Sequence, residues 1–170
     1  MSDDPMPDEP LLRVSRLTRR FPRAVGEVLV LDAIDMEVRS GEIVGILGRS
    51  GSGKSTLLRS IAGLIPPSSG SVSFEGKPVE GPAPGIAMVF QGFALFPWLT
   101  VLGNVALGLR ALGIDEDEAR RRSLAAIDLI GLDGFESAYP RELSGGMQQR
   151  VGFARALVVD PTLLLMDEPF

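Results

Sequence analysis

The sequence predicts an α/β fold with short strands first, a parallel core sheet and a helical insert. Apolar and polar residues alternate over short stretches between residues 12 and 38, which is the pattern of half-buried strands. Residues 43–47, 86–90 and 162–166 are short apolar runs, which are typical of strands buried in a parallel sheet. Residues 101–112 instead place their apolar side chains at helical spacing.

The N-terminal half of the chain is predicted to hold several strands and one helix. The alternating stretches predict four strands, at residues 12–17, 28–31, 34–38 and 71–74. Residues 55–65 are an apolar stretch that suits a helix. Residues 66–70 read Pro-Pro-Ser-Ser-Gly, and this cluster ends the helix.

The helical insert is predicted to span about residues 93–149. Its first helix covers residues 101–112, although Gly103 and Gly108 weaken the pattern. A second helix begins at Asp115, which has Glu118 three residues on in a capping-box-like pair. The apolar face of this second helix consists of Leu124, Ile127, Leu129 and Ile130. A further helix opens at Gly145 or Gly146 and runs to about Val158.

Composition narrows the class of protein. The 170 residues carry 17 basic and 22 acidic side chains, a net charge of −5, which weighs against a nucleic-acid partner because phosphate backbones are bound by clustered Lys and Arg. Residues 120–122 are three arginines, but the acidic residues 116–118 each lie four positions before one of them, which predicts a charge-balanced exposed face. The chain has no cysteine, which excludes disulfides, and no apolar run near the roughly 18 residues of a membrane helix.

The chain length suits one domain. Residues 1–10 are acidic and rich in proline, and we expect them to form a disordered tail without signal-peptide character. Residues 11–170 are then predicted to form the domain itself, with the insert at about residues 93–149 as its helical subdomain.

A phosphate-binding motif lies between a predicted strand and a predicted helix. Residues 48–55 read Gly-Arg-Ser-Gly-Ser-Gly-Lys-Ser, which matches G-x-x-x-x-G-K-[ST]. Its glycines let successive backbone N–H groups face a phosphate, and the following helix points its positive end at the same anion. Lys54 would reach the β- and γ-phosphates, and Ser55 would ligate Mg²⁺. The alternative is a plain glycine-rich turn, and the flanking elements favour nucleotide binding.

Two carboxylates follow the last apolar run. Asp167 and Glu168 come directly after residues 162–166, at the carboxyl end of a predicted buried strand. Ligand sites of open α/β sheets gather at this edge. One carboxylate can hold Mg²⁺, usually through water, and the other can polarise an attacking water molecule.

Between these motifs the chain resembles the ATP-binding-cassette (ABC) family. Residues 143–150 read Leu-Ser-Gly-Gly-Met-Gln-Gln-Arg, which is similar letter for letter to the family signature. Gln91 resembles the family's Q-loop glutamine, and Phe21 lies where the family carries an aromatic side chain that stacks on adenine. Gln91 could instead cap a strand, and Phe21 could be a core aromatic. The resemblance covers residues 12–170 and implies a phosphate-loop ATPase with an N-terminal antiparallel β subdomain.

The resemblance implies a role for each motif residue, with ATP and Mg²⁺ as the bound groups. The phosphates would be bound by Gly48, Arg49, Ser50, Gly51, Ser52, Gly53, Lys54, Ser55 and Thr56. Mg²⁺ would be held by Ser55, Gln91 and Asp167. The catalytic residues would be Glu168 as the general base, Gln91 in contact with the attacking water, and Lys54. Ser144, Gly145 and Gly146 would close on the γ-phosphate of ATP held by a second copy, so a homodimer of ATPase subunits is implied. Residues 148–150 are more typical of a helix surface or a partner contact than of catalysis.

The segment after Gln91 indicates a branch of the family. Residues 94–101 read Ala-Leu-Phe-Pro-Trp-Leu-Thr-Val, which together with Asn104 resembles the nitrate, sulfonate and taurine importers, although osmoprotectant and polyamine importers carry similar segments. The family docks a cytoplasmic helix of its membrane permease here, and an exposed Phe96 and Trp98 would suit that partner, although Trp98 could instead belong to the core. The resemblance implies a cytoplasmic subunit on the inner membrane face, served indirectly by a solute-binding protein.

The sequence departs from the family pattern at its C-terminal side. The family continues after the catalytic glutamate with a D-loop and a strand that ends in a switch histidine, and this chain ends at Phe170 and has no histidine. The resemblance therefore implies that the C-terminal part of the core is missing. We expect the 170-residue chain alone to be poorly stable and to hydrolyse ATP slowly or not at all.

Two other classes of protein compete with an importer ATPase. Nucleic-acid-associated ATPases of this family separate the Q-loop from the signature by long coiled coils, whereas here Gln91 and Leu143 are only 52 positions apart (143 − 91), without sustained heptads. A non-catalytic nucleotide-binding fragment is the third reading, and every motif residue within the chain is intact. The sequence therefore favours the transport ATPase.

Overall fold

The computed structural model describes residues 9–92 and 94–167. These residues form two units, one ending at Ala83 and one beginning at Pro84, and each is described by itself. Pro10, at the end of the predicted tail, is buried in the first unit. Within the described ranges, no helix combines the length and the apolar character that crossing a membrane requires.

The first unit contains a four-stranded antiparallel sheet. Its strands are β1 (Leu12–Pro22), β2 (Glu27–Val38), β3 (Ser69–Phe74) and β4 (Lys77–Pro78). They lie in the order β2-β1-β3-β4, with every neighbouring pair antiparallel. The N-terminal antiparallel sheet implied by the sequence is therefore confirmed.

The prediction of separate strands at residues 28–31 and 34–38 is wrong, because β2 runs through both. Its pairing with β1 shifts register three times between Val14 and Arg20. Ala33 takes a positive φ of 46° in the middle of β2, and its backbone N–H donates to Thr18 Oγ1 at 3.1 Å. This irregularity interrupts the alternation of the sequence without interrupting the strand.

One helix packs on this sheet. Helix α1 covers Lys54–Ile61, so the predicted helix at residues 55–65 forms but ends four residues earlier than expected. Its Leu57 and Ile61 are buried, as are the inward side chains of the sheet. These sheet residues include Leu12, Val14, Leu17, Leu31, Val38, Val72 and Phe74.

The prediction of a buried strand at residues 43–47 is wrong. None of these residues is in regular secondary structure, and the Leu47 side chain is 96% exposed. An apolar run becomes a buried strand only when neighbouring strands pair with its backbone. Among the strands of the described ranges, none pairs with this segment. The apolar pattern indicated a tendency to form a strand, but no strand of the described ranges pairs with the backbone of residues 43–47.

The second unit contains a parallel strand pair. Strands β5 (Ile86–Val89) and β6 (Leu163–Met166) are parallel, and their register runs from Ile86 opposite Leu163 to Val89 opposite Met166. Both apolar runs were predicted to be strands of a parallel sheet, and the pairing confirms this.

The second unit also contains three helices that pack on one another. They are α2 (Val101–Ala111), α3 (Glu116–Leu129) and α4 (Gly145–Leu157), with a short 3-10 helix at Pro140–Glu142 before α4. Gly108 supports the packing of α2, since a Cβ atom there would lie 2.7 Å from Val159 Cγ1. The core of these helices consists of Val101, Val105, Leu109, Ala119, Ile127, Leu132, Leu143, Val151, Ala154 and Val158.

Helix α3 differs from its prediction in its cap and in its apolar face. Asp115 caps the helix by accepting from the backbone N–H of Asp117 at 3.1 Å, whereas Glu118 forms an ion pair with Arg121 instead of completing a capping box. Leu129 was expected on the apolar face but is 77% exposed. After Ile127 the core contacts are made by Ile130, which is partly buried as expected, and by Leu132, which is buried, and both lie beyond the end of the helix at Leu129.

The charged residues of α3 also pair differently from the expected four-residue spacing. Glu116 accepts from Arg110 of α2, and this contact lowers the pKa of Glu116. Arg122 is half-buried and donates from Nη2 to the carbonyl of Val158 at 2.7 Å, at the C-terminal end of α4. An arginine at this position satisfies a helix-end carbonyl and favours the negative end of the helix dipole.

Two substitutions on α3 test which face of this helix is buried and which is exposed. Ile127→Ala removes a fully buried side chain from the helical core and should lower the free energy of unfolding by about 2–5 kcal/mol. Leu129→Ala, two residues away but on the exposed face, should change it by less than about 0.5 kcal/mol. Urea unfolding followed by circular dichroism measures both. Equal losses for the two variants would contradict this assignment of the faces.

Candidate nucleotide-binding site

The phosphate loop (residues 48–55) leads into α1 through left-handed glycines. Gly51 has a φ of 78° and Gly53 a φ of 98°, in the region that side chains rarely adopt. Gly53 is the N-cap residue of α1, and no side chain accepts a hydrogen bond at this cap. A Cβ atom on Gly53 would lie 3.0 Å from the carbonyl oxygen of Val30, so the loop passes close to β2. The helix therefore begins directly at the loop.

Lys54, the first residue of α1, turns its side chain back over the loop. Its Nζ donates to the carbonyl oxygens of Gly48 at 3.0 Å and Arg49 at 3.2 Å. Ser52 N–H also donates to the Arg49 carbonyl, at 3.1 Å, which closes the turn. The ammonium group thus lies over the glycine-rich backbone, where it can meet an anion held by the loop.

The first turn of α1 suits a phosphate group. It holds Ser55 and Thr56, both half-buried, and it has no acidic residue that would oppose an anion. The first N–H groups of any helix have no acceptor within the helix, and the helix dipole adds a partial positive charge there. With no side-chain cap at Gly53, these donors and the Lys54 ammonium fit the phosphates of a nucleotide.

Gln91 and Asp167 lie at the same edge of the β5–β6 pair. Asp167 follows β6 directly, and its backbone N–H donates to the carbonyl of Val89 at 3.0 Å. Gln91 comes two residues after Val89, so both side chains follow the carboxyl ends of adjacent parallel strands. Asp167 is buried and Gln91 is exposed. Glu168, the expected general base, lies outside the described residues.

These residues offer donors of mixed type for a divalent cation. Within residues 9–92 and 94–167 there is no cluster of three or more His, Cys, Asp or Glu side chains that could hold a metal by themselves. At the edge of the β5–β6 pair, Gln91 offers an amide oxygen and Asp167 a carboxylate, and oxygen ligands are the chemistry that Mg²⁺ prefers. In the first unit, Ser55 offers a hydroxyl oxygen of the same chemistry.

The signature residues stand at the exposed start of α4. Ser144 is the N-cap residue, and its Oγ accepts from the Met147 N–H at 3.3 Å. Ser144, Gly145 and Gly146 are all exposed, and Cβ atoms on the two glycines would meet nothing within 4 Å. The start of α4 is therefore open to a partner or ligand.

Phe21 is half-buried near the end of β1. The guanidinium carbon of Arg19 lies 4.5 Å from the centroid of its ring, a cation–π contact. The same arginine donates from Nη1 to the Pro66 carbonyl at 2.8 Å, which fixes its position. Phe21 is thus a partly accessible aromatic ring with a cation beside it.

The sequence did not assign roles to two residues that hold the signature segment (residues 143–150) in place. Gln148 Nε2 donates to the carbonyls of Pro140 at 2.9 Å and Leu143 at 3.2 Å. Arg150 Nη1 donates to the Ile130 carbonyl at 2.8 Å, just after α3. Both had been interpreted as surface or partner-facing residues. They lie two residues apart, on different faces of α4, and the sequence does not show which carbonyl groups each of them reaches.

The fold and these motifs define a nucleotide-binding α/β protein, and comparison with known families names the class. The family model described as ABC transporter matches residues 31–170. The chain therefore belongs to the ABC transporter family. Its fold is also that of solved cassettes: the dimeric ATP-binding cassette MJ0796, in a post-hydrolysis state with ADP and Pi, matches with a TM-score of 0.87 at 33% identity. That match covers 93% of this chain and 74% of the cassette chain.

The curated relatives include import proteins. The nitrate import ATP-binding protein NrtD of Synechocystis sp. is 49% identical over 159 residues, which cover 94% of this chain and 60% of the relative. The taurine import ATP-binding protein TauB of Burkholderia pseudomallei is 53% identical over 144 residues, which cover 85% of this chain and 55% of the relative. The chain thus spans between half and two thirds of the length of these relatives.

A single substitution tests the left-handed conformation of Gly53 at the start of α1. Gly53→Ala forces a side chain into a left-handed conformation close to Val30 and Leu31, and should lower the free energy of unfolding by about 1–2 kcal/mol. Gly45→Ala, at a position with open space and no positive φ, should change it by less than about 0.5 kcal/mol. Thermal unfolding of both variants makes the comparison. An unchanged stability in Gly53→Ala would contradict the loop geometry.

Proposed function

We propose that this chain binds Mg-ATP as the nucleotide-binding part of an ABC importer ATPase. The observation that carries the proposal is the phosphate loop, which enters α1 through left-handed Gly53 with Lys54 Nζ over the loop carbonyls. Membership of the ABC transporter family and import relatives at 49% and 53% identity support the same function.

The residues of the loop would bind and orient the triphosphate. Backbone N–H groups of residues 48–56 would face the phosphate oxygens, and Lys54 would hold the β- and γ-phosphates. Ser55, Gln91 and Asp167 would hold Mg²⁺, and Glu168 would take a proton from the attacking water. Bound Mg-ATP supplies the γ-phosphoryl group that this water attacks.

A second ATPase subunit would complete the site. Ser144, Gly145 and Gly146 are exposed at the start of α4, where small residues and helix N–H groups can approach a phosphate closely. In a homodimer these residues would face ATP bound by the other copy. The solved structures of the MJ0796 cassette, which is 33% identical to this chain, are dimeric, and this supports the arrangement.

A membrane permease would be the second partner, and nitrate, sulfonate or taurine would be the transported class. The relatives at 49% and 53% identity are named as nitrate and taurine import proteins. Trp98 is 69% exposed and packs edge-to-face on Phe96, with ring centroids 5.4 Å apart, so the pair would offer the permease an apolar surface. The chain would then work at the cytoplasmic face of the membrane, with a solute-binding protein delivering substrate to the permease.

A thermal shift with Mg-ATP tests the proposed binding. At a nucleotide concentration about 100 times the dissociation constant, binding should add about 2.7 kcal/mol to the free energy of unfolding. Lys54→Ala should abolish this gain because it removes the only ammonium over the phosphate loop among the described residues. Lys77→Ala removes an exposed lysine of β4 and is the matched control, expected to keep the full shift. Equal shifts in both variants would rule out binding at this loop.

A second measurement separates the adenine from the phosphates. If Phe21 stacks on adenine, Phe21→Ala should weaken ATP binding by about 1–3 kcal/mol, that is, by roughly 5- to 150-fold. The same variant should bind inorganic tripolyphosphate as the unmodified chain does, because this ligand has no base. Titration calorimetry with both ligands gives the comparison. A parallel loss for both ligands would show that Phe21 acts only through folding.

A further inference from the structure

Asn104 is a fully buried polar side chain on the otherwise apolar face of α2. Its Oδ1 accepts from the Phe96 N–H at 2.8 Å. Its Nδ2 lies within hydrogen-bond distance of three carbonyl oxygens, those of Phe96 at 3.1 Å, Leu99 at 3.1 Å and Thr100 at 3.0 Å. The side chain therefore uses its acceptor and both of its N–H groups.

All four contacts reach one short stretch of backbone, the aromatic segment (residues 94–100). This segment is not part of a helix or strand, so its polar backbone groups need partners from elsewhere. It carries the exposed Phe96 and Trp98 side chains and ends at Thr100, which caps α2 by accepting from Gly103 N–H at 3.1 Å. Asn104 thus supplies hydrogen bonds that a regular element would make by itself.

The other end of the aromatic segment is held by α4. Arg155 Nη1 donates to the carbonyl of Ala94 at 2.7 Å, and Ala94 has a positive φ of 47°. The segment is therefore fixed at its start by a charged donor of α4 and through the rest of its length by Asn104 of α2. The exposed side chains between these anchors are Phe96, Pro97 and Trp98, and the two aromatic rings contact each other.

We propose that Asn104 is a positioning residue for the permease-docking surface formed by Phe96 and Trp98. The inference rests on the proposed function, in which this surface meets a helix of the permease. Ordering a side chain upon association costs about 0.5–1.5 kcal/mol for each one immobilised, and a surface that is already rigid avoids that cost. The hydrogen bonds of Asn104 hold the backbone under both rings before any partner arrives.

The chemistry of Asn104 suggests a minimal substitution. Asn104→Asp keeps the size and the acceptor facing Phe96 N–H, but it replaces the amide donor with an oxygen facing three carbonyl oxygens. Oxygen atoms in these positions repel one another, so the segment should detach from α2. Ile127→Val is the control, because Ile127 belongs to the same helical core but lies on α3, which carries neither Asn104 nor the aromatic segment.

The first experiment measures the mobility of Trp98 in the full 170-residue chain, which contains a single tryptophan. We expect the NMR order parameter of the Trp98 backbone N–H to fall from about 0.85 to below about 0.6 in Asn104→Asp. Ile127→Val should leave the order parameter of the Trp98 N–H unchanged, when the two variants are compared at temperatures where they are equally stable. An Asn104→Asp chain in which Trp98 stays as rigid as in the unmodified chain would overturn the proposal.

The second experiment asks whether Asn104 acts through Trp98. In the full transporter complex, Asn104→Asp and Trp98→Ala should each reduce the amount of permease that co-purifies with this subunit. Combined, they should reduce it no further than Trp98→Ala alone, since the anchor then has nothing to position. Additive losses would overturn the proposal. A Trp98→Ala subunit that retains its permease would refute the docking surface, whereas ATP binding by the phosphate loop would stand.

Discussion

The start of α1 is the constraint on which the candidate site depends. Gly53 must be left-handed, with its Cα close to the Val30 carbonyl, for the helix to begin where the phosphate loop ends. Only then do the first helical N–H groups, the helix dipole and the Lys54 ammonium point at one place. The antiparallel sheet holds that geometry, because β2 supplies both the Val30 carbonyl and the buried Leu31 side chain beside Gly53. The N-terminal sheet is thus a support for the loop as well as a hydrophobic layer.

In the second unit, side chains form hydrogen bonds with the backbone groups of irregular segments. Gln148 donates to the carbonyls of Pro140 and Leu143. Arg150 and Arg122 donate to carbonyls at helix ends, and Arg155 and Asn104 hold the aromatic segment. Burial lowers the pKa of Arg155, which indicates how far this cation is withdrawn from water. These long polar side chains keep exposed groups, such as Ser144 and Trp98, in defined positions on a helical core.

The sequence predicted a helix or strand well where its own residues determine it. It predicted less well where contacts with a neighbouring part of the chain determine the structure. Apolar periodicity identified β5, β6 and α2, and turn residues placed the ends of the helices within a few positions. The prediction failed at residues 43–47, because an apolar run does not reveal whether a strand will pair with it. Leu129 was misplaced because it lies two residues after Ile127 within α3, which puts the two side chains on different faces of the helix. Asn104 left a signal, a polar residue on an apolar helical face, but its four backbone partners are visible only in three dimensions.

The central claim is that a nucleotide binds at the start of α1, and amide NMR tests it at the residues concerned. Adding Mg-ATP to the isotope-labelled chain should move the backbone signals of Gly51, Gly53 and Lys54 the most, since these N–H groups would face the phosphates. The signal of Gly45, outside the loop and in open space, should move little. Large shifts confined to other parts of the chain, or none at saturating Mg-ATP, would contradict the account.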